Sequence, residues 1–243
     1  MKVTVIGFWH GYPESGEATS GYLLEHENFK VLLDCGSGVL SKLQRYCSID
    51  DIDAVVLSHY HGDHKADLSP FQYARIINAN RNGQKVATVY GHQDDEQEFS
   101  KLSFLHVVKA VAFHDQAPLK VGPFQFTFQK TDHPVPCYAM KIQLEGKTLV
   151  YTADSRYIKE LESFASHCDV LISECSGYAE DNVAEFGHMN SVDAGKLAAA
   201  ANAKTLVLSH LPHYGKHELL RNEASSIYSG NIHIAKTGLV LEL

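Results

Sequence analysis

An α/β fold is what this sequence predicts. Three observations predict it: short apolar runs recur along the whole chain, helical patterns fall between many of them, and no linker or low-complexity stretch divides it. The 243 residues are 44% hydrophobic and 21% charged, an ordinary globular composition, so a single domain over 1–243 is expected. Strand-like runs lie at 3–6, 22–25, 29–34, 54–58, 85–90 and 107–113, and again at 124–131, 138–144, 148–152, 170–173, 205–209, 232–234 and 239–243. Phe124, Phe126 and Phe128 alternate with Gln125, Thr127 and Gln129, the period of a strand with one wet face. A helix over 69–80 carries Phe71, Ala74 and Ile77 on one side. A second, over 191–202, opens with Ser191 and Asp193 and runs on rich in alanine. A third is expected over 155–164.

Composition excludes several function classes. The 21 basic and 29 acidic side chains leave a formal charge of −8, against the electropositive surface of a sequence-blind nucleic-acid binder. No apolar run is long enough to span a membrane, and the opening MKVTVIG lacks the parts of a signal peptide. Five cysteines, an odd number without a CxxC pair, suit reduced thiols, so a cytoplasmic location is expected. Fifteen histidines are the unusual count.

Five apolar runs end in a residue able to hold a metal or move a proton: Asp34, His59, Asp154, Glu174 and His210. Ligands in α/β folds bind beyond the carboxyl ends of strands, so these endings predict one shared rim. Polar residues commonly terminate strands, but that explains one or two cases better than five. The likeness of AVVLSH (54–59) to TLVLSH (205–210) also suggests a duplicated half.

The strongest signal is HYHGDH at 59–64. His59 and His61 alternate from a strand end, so both imidazoles can point the same way. Gly62 permits a tight turn, and Asp63 with His64 then face a second position at the start of a helix. Imidazole nitrogen with carboxylate oxygen suits Zn²⁺, with Mn²⁺ or Fe²⁺ also compatible. A surface histidine cluster is the plain alternative.

These residues resemble the signature of the metallo-β-lactamase superfamily. His133 in TDHPVPCYAMKI, Asp154 in VYTADS and His210 in LVLSHLP resemble its later ligands, and Asp34 in LLDCGSG is a family-like position. The resemblance implies a four-layer αββα sandwich with two divalent ions, zinc first. It implies that His59, His61 and His133 hold one ion and that Asp63, His64 and His210 hold the other, with Asp154 and a hydroxide bridging. Two metals so placed can steady an in-line displacement. Asp34 is read as an acceptor fixing the tautomer of a metal histidine. His213 is placed either in the substrate pocket or in solvent. His92, His106, His114, His167, His217 and His233 are read as ordinary surface or loop residues.

The fold alone does not decide the reaction. Asp154 stands where true β-lactamases commonly carry a cysteine ligand, which argues against β-lactam hydrolysis. The stretch LISECSG followed by GHMNSVDAGKLAAAANAKTLVLSH resembles ribonuclease Z, the tRNA 3′-end endonuclease, with Glu174 and His188 at the matching positions. That implies Glu174 stabilising His188 as imidazolium, which protonates the departing alkoxide, so Asp63, His188 and Glu174 are the residues given catalytic roles. The structural alternatives are that Glu174 caps a turn and that His188 caps the helix at Ser191. One departure concerns the substrate. Only residues 134–153 separate His133 from Asp154, which leaves no room for the long basic arm that grips tRNA. A small phosphodiester or short RNA is therefore the expected substrate, tRNA being in doubt, and homodimerisation is implied by the resemblance alone. Arg75, Arg81 and Lys85 read as a solvated helix end. The competing function is a lactonase or other carboxylic-ester hydrolase, with Tyr157 polarising a carbonyl. A non-catalytic, metal-stabilised binding module is disfavoured, because structural zinc sites are normally closed and cysteine-rich.

Overall fold

The computed structural model describes residues 1–82 and 85–243, the side chains of 80–82 left aside. The chain divides into two compact units, Met1–His114 with Lys236–Glu242, and Asp115–Ala235 with Leu243. Each is a mixed sheet with helices between its strands. No helix among the described residues is long and apolar enough to cross a membrane.

In the first unit the strands are β1 (Lys2–Gly7), β2 (Gly21–His26), β3 (Phe29–Leu33), β4 (Ala54–Val56), β5 (Ala87–Gly91) and β6 (Val108–Ala112). The helices are α1 (Val39–Leu43), α2 (Gly62–Lys65), α3 (Leu68–Asn82) and α4 (Glu96–Ser100). In the second unit the strands are β7 (Leu119–Val121), β8 (Phe124–Lys130), β9 (Tyr138–Leu144), β10 (Lys147–Tyr151), β11 (Val170–Glu174), β12 (Thr205–Ser209) and β13 (Asn231–Ile234). Its helices are α5 (Lys159–Phe164), α6 (Ser191–Ala200) and α7 (His217–Ser225). The last strand, β14 (Val240–Glu242), returns to the edge of the first sheet beside β1.

The two sheets repeat one plan. The first runs β14-β1-β2-β3-β4-β5-β6 and the second β7-β8-β9-β10-β11-β12-β13. In each, four strands pair antiparallel and the pairings from the fourth strand onward are parallel. The plan corrects one reading of the sequence. By order β4 matches β11 and β5 matches β12, so AVVLSH and TLVLSH end strands that are not equivalent. Their likeness reflects the continuous apolar run that a parallel strand covered on both faces requires, as in the wholly buried β4 and the almost wholly buried β12.

Tight turns set the register. Leu144 pairs with Lys147 across Glu145 and Gly146, both at positive φ, which is the two-residue turn whose twist suits a hairpin. In β8 the three phenylalanines are buried and Gln125, Thr127 and Gln129 face the other way, as the alternation predicts.

Two helices depart from expectation. The third helix begins at Lys159, because Ser155 is drawn instead to Glu174, whose carboxylate accepts from the Ser155 N–H at 2.6 Å. In α3 the inward face is Leu68, Phe71, Gln72 and Arg75, leaving Ile77 57% exposed. Arg75 is thus not a solvated helix end. It is 2% exposed, and its guanidinium donates to the carbonyls of Ile49 (3.3 Å), Asp50 (3.0 Å) and Lys85. The Arg81 side chain lies outside the described residues. Removing the Arg75 guanidinium strands the buried Ile49 carbonyl and two partly buried ones, so Arg75→Ala is expected to lower the unfolding free energy in urea titrations by about 1–3 kcal/mol. A loss below about 0.5 kcal/mol, the range of a surface substitution, would contradict this role.

Candidate metal centre

In the first unit the HYHGDH segment leaves β4 and turns into α2, with His61 as the extended residue before the helix. Backbone bonds strap it to the residue before β2 and to the turn after β3: the Ser20 N–H donates to the Asp63 carbonyl at 3.1 Å and the Cys35 N–H to the His64 carbonyl at 2.8 Å. Gly36 permits this approach, since a Cβ there would lie 2.0 Å from the Asp63 carbonyl oxygen. The rings of His59 and His61 meet edge to face at 4.8 Å, and those of His59 and His64 lie 4.1 Å apart. Asp63 Oδ2 accepts from the Gly11 N–H at 2.9 Å and stands 3.6 Å from His64 Nε2. The four residues therefore converge within this unit.

Beneath them lies Asp34, wholly buried at the exit of β3. Its carboxylate accepts from the Ser58 N–H (2.7 Å), the Ser58 hydroxyl (2.8 Å) and His64 Nδ1 (2.8 Å). The carboxylate can only accept, so the His64 Nδ1 carries the proton and its Nε2 offers a lone pair. This is the orienting role expected of Asp34.

In the second unit His133, Asp154 and His210 also come together. Asp154 Oδ2 lies 3.9 Å from His133 Nε2 and 3.6 Å from His210 Nε2. His133 Nδ1 donates to the Gly187 carbonyl at 3.0 Å, which again puts the ring's lone pair on Nε2. Burial holds the His133 imidazole below its ordinary pKa, against the opposing pull of the Asp154 charge, and so favours the neutral ligand form. Asp154 is held from behind by its carbonyl, which accepts from the Thr131 hydroxyl at 2.8 Å.

Glu174, Ser176 and His188 complete this group, and suitable atoms of Glu174, His188 and His210 lie within 4.8 Å of one another. Both Glu174 oxygens are 3.2 Å from His188 Nδ1. The His188 ring lies 5.1 Å from that of His133 and 5.4 Å from that of His210. His188 does not cap α6; Asn190 does, accepting from the Asp193 N–H at 3.0 Å. Glu174 is 1% exposed and, besides His188, accepts from the Ser155 N–H and the Ser176 hydroxyl (2.8 Å).

The donor set fits divalent metal ions. Donors about 2.0–2.1 Å from a four-coordinate ion sit ~3.3 Å apart, close to the nitrogen–oxygen separations above and too long for hydrogen bonds. Cys35 and Cys175, next to Asp34 and Glu174, are fully buried, and burial followed by neighbouring carboxylate charge pushes both thiols well up.

Of the remaining histidines, the surface reading of His92 is corrected. His92 is buried, its ring 4.4 Å from that of Tyr60 and its carbonyl accepting from the Tyr60 hydroxyl at 2.6 Å. His106, His114, His167 and His233 are exposed, and His213 and His217 are partly buried. Tyr157 donates to Glu162 at 2.5 Å and is pushed up to about 12, first by burial. Sequence reasoning missed Ser58, Ser176 and the Gly187 carbonyl. The only signals for the serines were their places beside His59 and after Glu174.

Comparison with known proteins identifies the family. A model of the beta-lactamase superfamily domain matches residues 30–211. The chain is 48% identical over 243 residues to "Probable metallo-hydrolase YhfI" of Bacillus subtilis, covering 100% of both. The crystal structure of that metallo-β-lactamase fold protein superposes with a TM-score of 0.99, covering 100% of this chain and 99% of the other at 47% identity. A ribonuclease Z of Methanopyrus kandleri is 22% identical over 280 residues, covering 100% of this chain and 98% of the other. The short form of human tRNase Z shares the fold at a TM-score of 0.78 and 20% identity, covering 100% and 99%. The chain belongs to the metallo-β-lactamase superfamily and is of its metallo-hydrolase class.

Proposed function

We propose that the protein is a cytoplasmic, metal-dependent phosphodiester hydrolase of the ribonuclease Z-like kind, residues 1–243 acting as one domain. His59, His61 and His133 would hold one divalent ion, Asp63, His64 and His210 the other, and Asp154 would be shared. Zinc suits this imidazole and carboxylate set, with manganese and iron compatible. Bound there, two ions would activate water at neutral pH and neutralise charge on the reacting phosphate.

The observation that carries the phosphodiester reading is the Glu174–His188 pair. With Nδ1 directed at a buried carboxylate 3.2 Å away, His188 keeps Nε2 to carry a proton, and Glu174 stabilises the imidazolium. A ribose alkoxide is a poor leaving group and needs that proton; an activated phenolate does not. The ribonuclease Z name of the Methanopyrus kandleri relative supports the same substrate class. Within the interval 134–153, β9, β10 and their hairpin turn take up 138–151, and Lys141 there lies 4.8 Å over the Phe164 ring. A basic arm for gripping tRNA has no place there, so a small diester or short RNA is the better fit. Homodimerisation follows from the family resemblance and is read by sedimentation.

His188→Ala is expected to slow a diester with an alkoxide leaving group by about 10²–10⁴-fold and bis-p-nitrophenyl phosphate by less than ~10-fold. Equal losses on both would remove the assigned role. Hydrolysis of a homoserine lactone, with neither the diester nor a short single-stranded RNA cleaved, would overturn the phosphodiester reading. Equilibrium dialysis with metal analysis is expected to give two ions per chain, and fewer in Asp154→Ala; retention of both by that variant would contradict a shared Asp154.

A further inference from the structure

We propose that Ser58 and Ser176 are positioning residues, each fixing through its single hydroxyl proton the tautomer of one metal histidine. The inference rests on the metal-site reading above and concerns two side chains outside the proposed ligand set.

The Ser58 hydroxyl lies 2.8 Å from Asp34 Oδ2 and 3.0 Å from His59 Nδ1. The carboxylate can only accept, so the hydroxyl proton goes to Asp34, and the serine oxygen can then only accept from His59. His59 therefore carries its proton on Nδ1, and Nε2 is left with the lone pair a metal requires. The second unit repeats the arrangement with different elements. The Ser176 hydroxyl is 2.8 Å from Glu174 Oε2 and 2.9 Å from His210 Nδ1, so His210 also carries its proton on Nδ1. Each buried carboxylate thus governs two imidazoles, one directly (His64, His188) and one through a serine (His59, His210). All of these atoms lie on residues that are buried or nearly so. Within so closed a site an imidazole without its Nδ1 acceptor gains the competing tautomer, which turns an N–H toward the ion.

Competition titrations of zinc against a chromophoric chelator test this on the full chain. Ser58→Ala and Ser176→Ala are each expected to weaken binding of one ion by about 10–100-fold, whereas Ser58→Thr and Ser176→Thr, which keep the hydroxyl, stay within about threefold of the parent. Alanine variants that bind both ions like the parent would overturn the serine assignment and leave the metal site standing. A parent chain that binds no zinc would overturn the metal-site reading itself. Because an alanine variant could fail to fold, the metal-loaded parent provides a second measurement, long-range ¹H–¹⁵N correlation of its histidine rings. Protonated Nδ1 with ligated Nε2 on both His59 and His210 is expected; ligation through Nδ1 of either ring would contradict the proposal.

Discussion

An ionised carboxylate withdrawn from water loses several kcal/mol of hydration and persists only where donors converge on it. Asp34 and Glu174 both meet that requirement, and in the same way. Each receives one backbone N–H, one serine hydroxyl and one imidazole Nδ1. The donors cannot move without stranding a buried charge, so the imidazoles are oriented before any ion or substrate arrives. Orientation of this kind is what a metal site gains from the groups behind its ligands.

The backbone is strained at the same places. Asp34, Ala153 and His210 leave their strands at positive φ (55°, 52° and 55°), a conformation that non-glycine residues adopt rarely and at a cost of about 1–3 kcal/mol each. All three lie just past the carboxyl ends of β3, β10 and β12, where the chain must turn sharply off the sheet. The turn puts the side chains of Asp34, Asp154 and His210 past the strand ends instead of alternating with the core residues before them. Stability for these exits comes from the sheets, whose parallel strands are buried on both faces.

Much of the site was legible in the sequence because its densest part is contiguous. HYHGDH places four donors within six residues, and a strand end followed by a short helix is enough to gather them. Asp154 and His210 stood out as endings of apolar runs, and His133 was picked out by family resemblance alone. The serine hydroxyls and the Gly187 carbonyl were not legible at all, since serine is common and a backbone carbonyl has no residue type. Tertiary packing explains the misreadings. Gln72 and Arg75 disguised the inward face of α3, and His92 follows a strand as a loop histidine would, yet it is enclosed near Tyr60 and Phe113. The antiparallel strands, by contrast, announced themselves through alternation, as β8 does with its three buried phenylalanines.

The proposal to be tested is that His59, His61, Asp63, His64, His133, Asp154 and His210 bind two divalent ions. Anomalous diffraction at the zinc edge from crystals of the zinc-loaded protein measures this most directly. The account predicts two peaks, one bonded to His59, His61 and His133, the other to Asp63, His64 and His210, with Asp154 reaching both. A single peak, or peaks touching none of His133, Asp154 and His210, would contradict it.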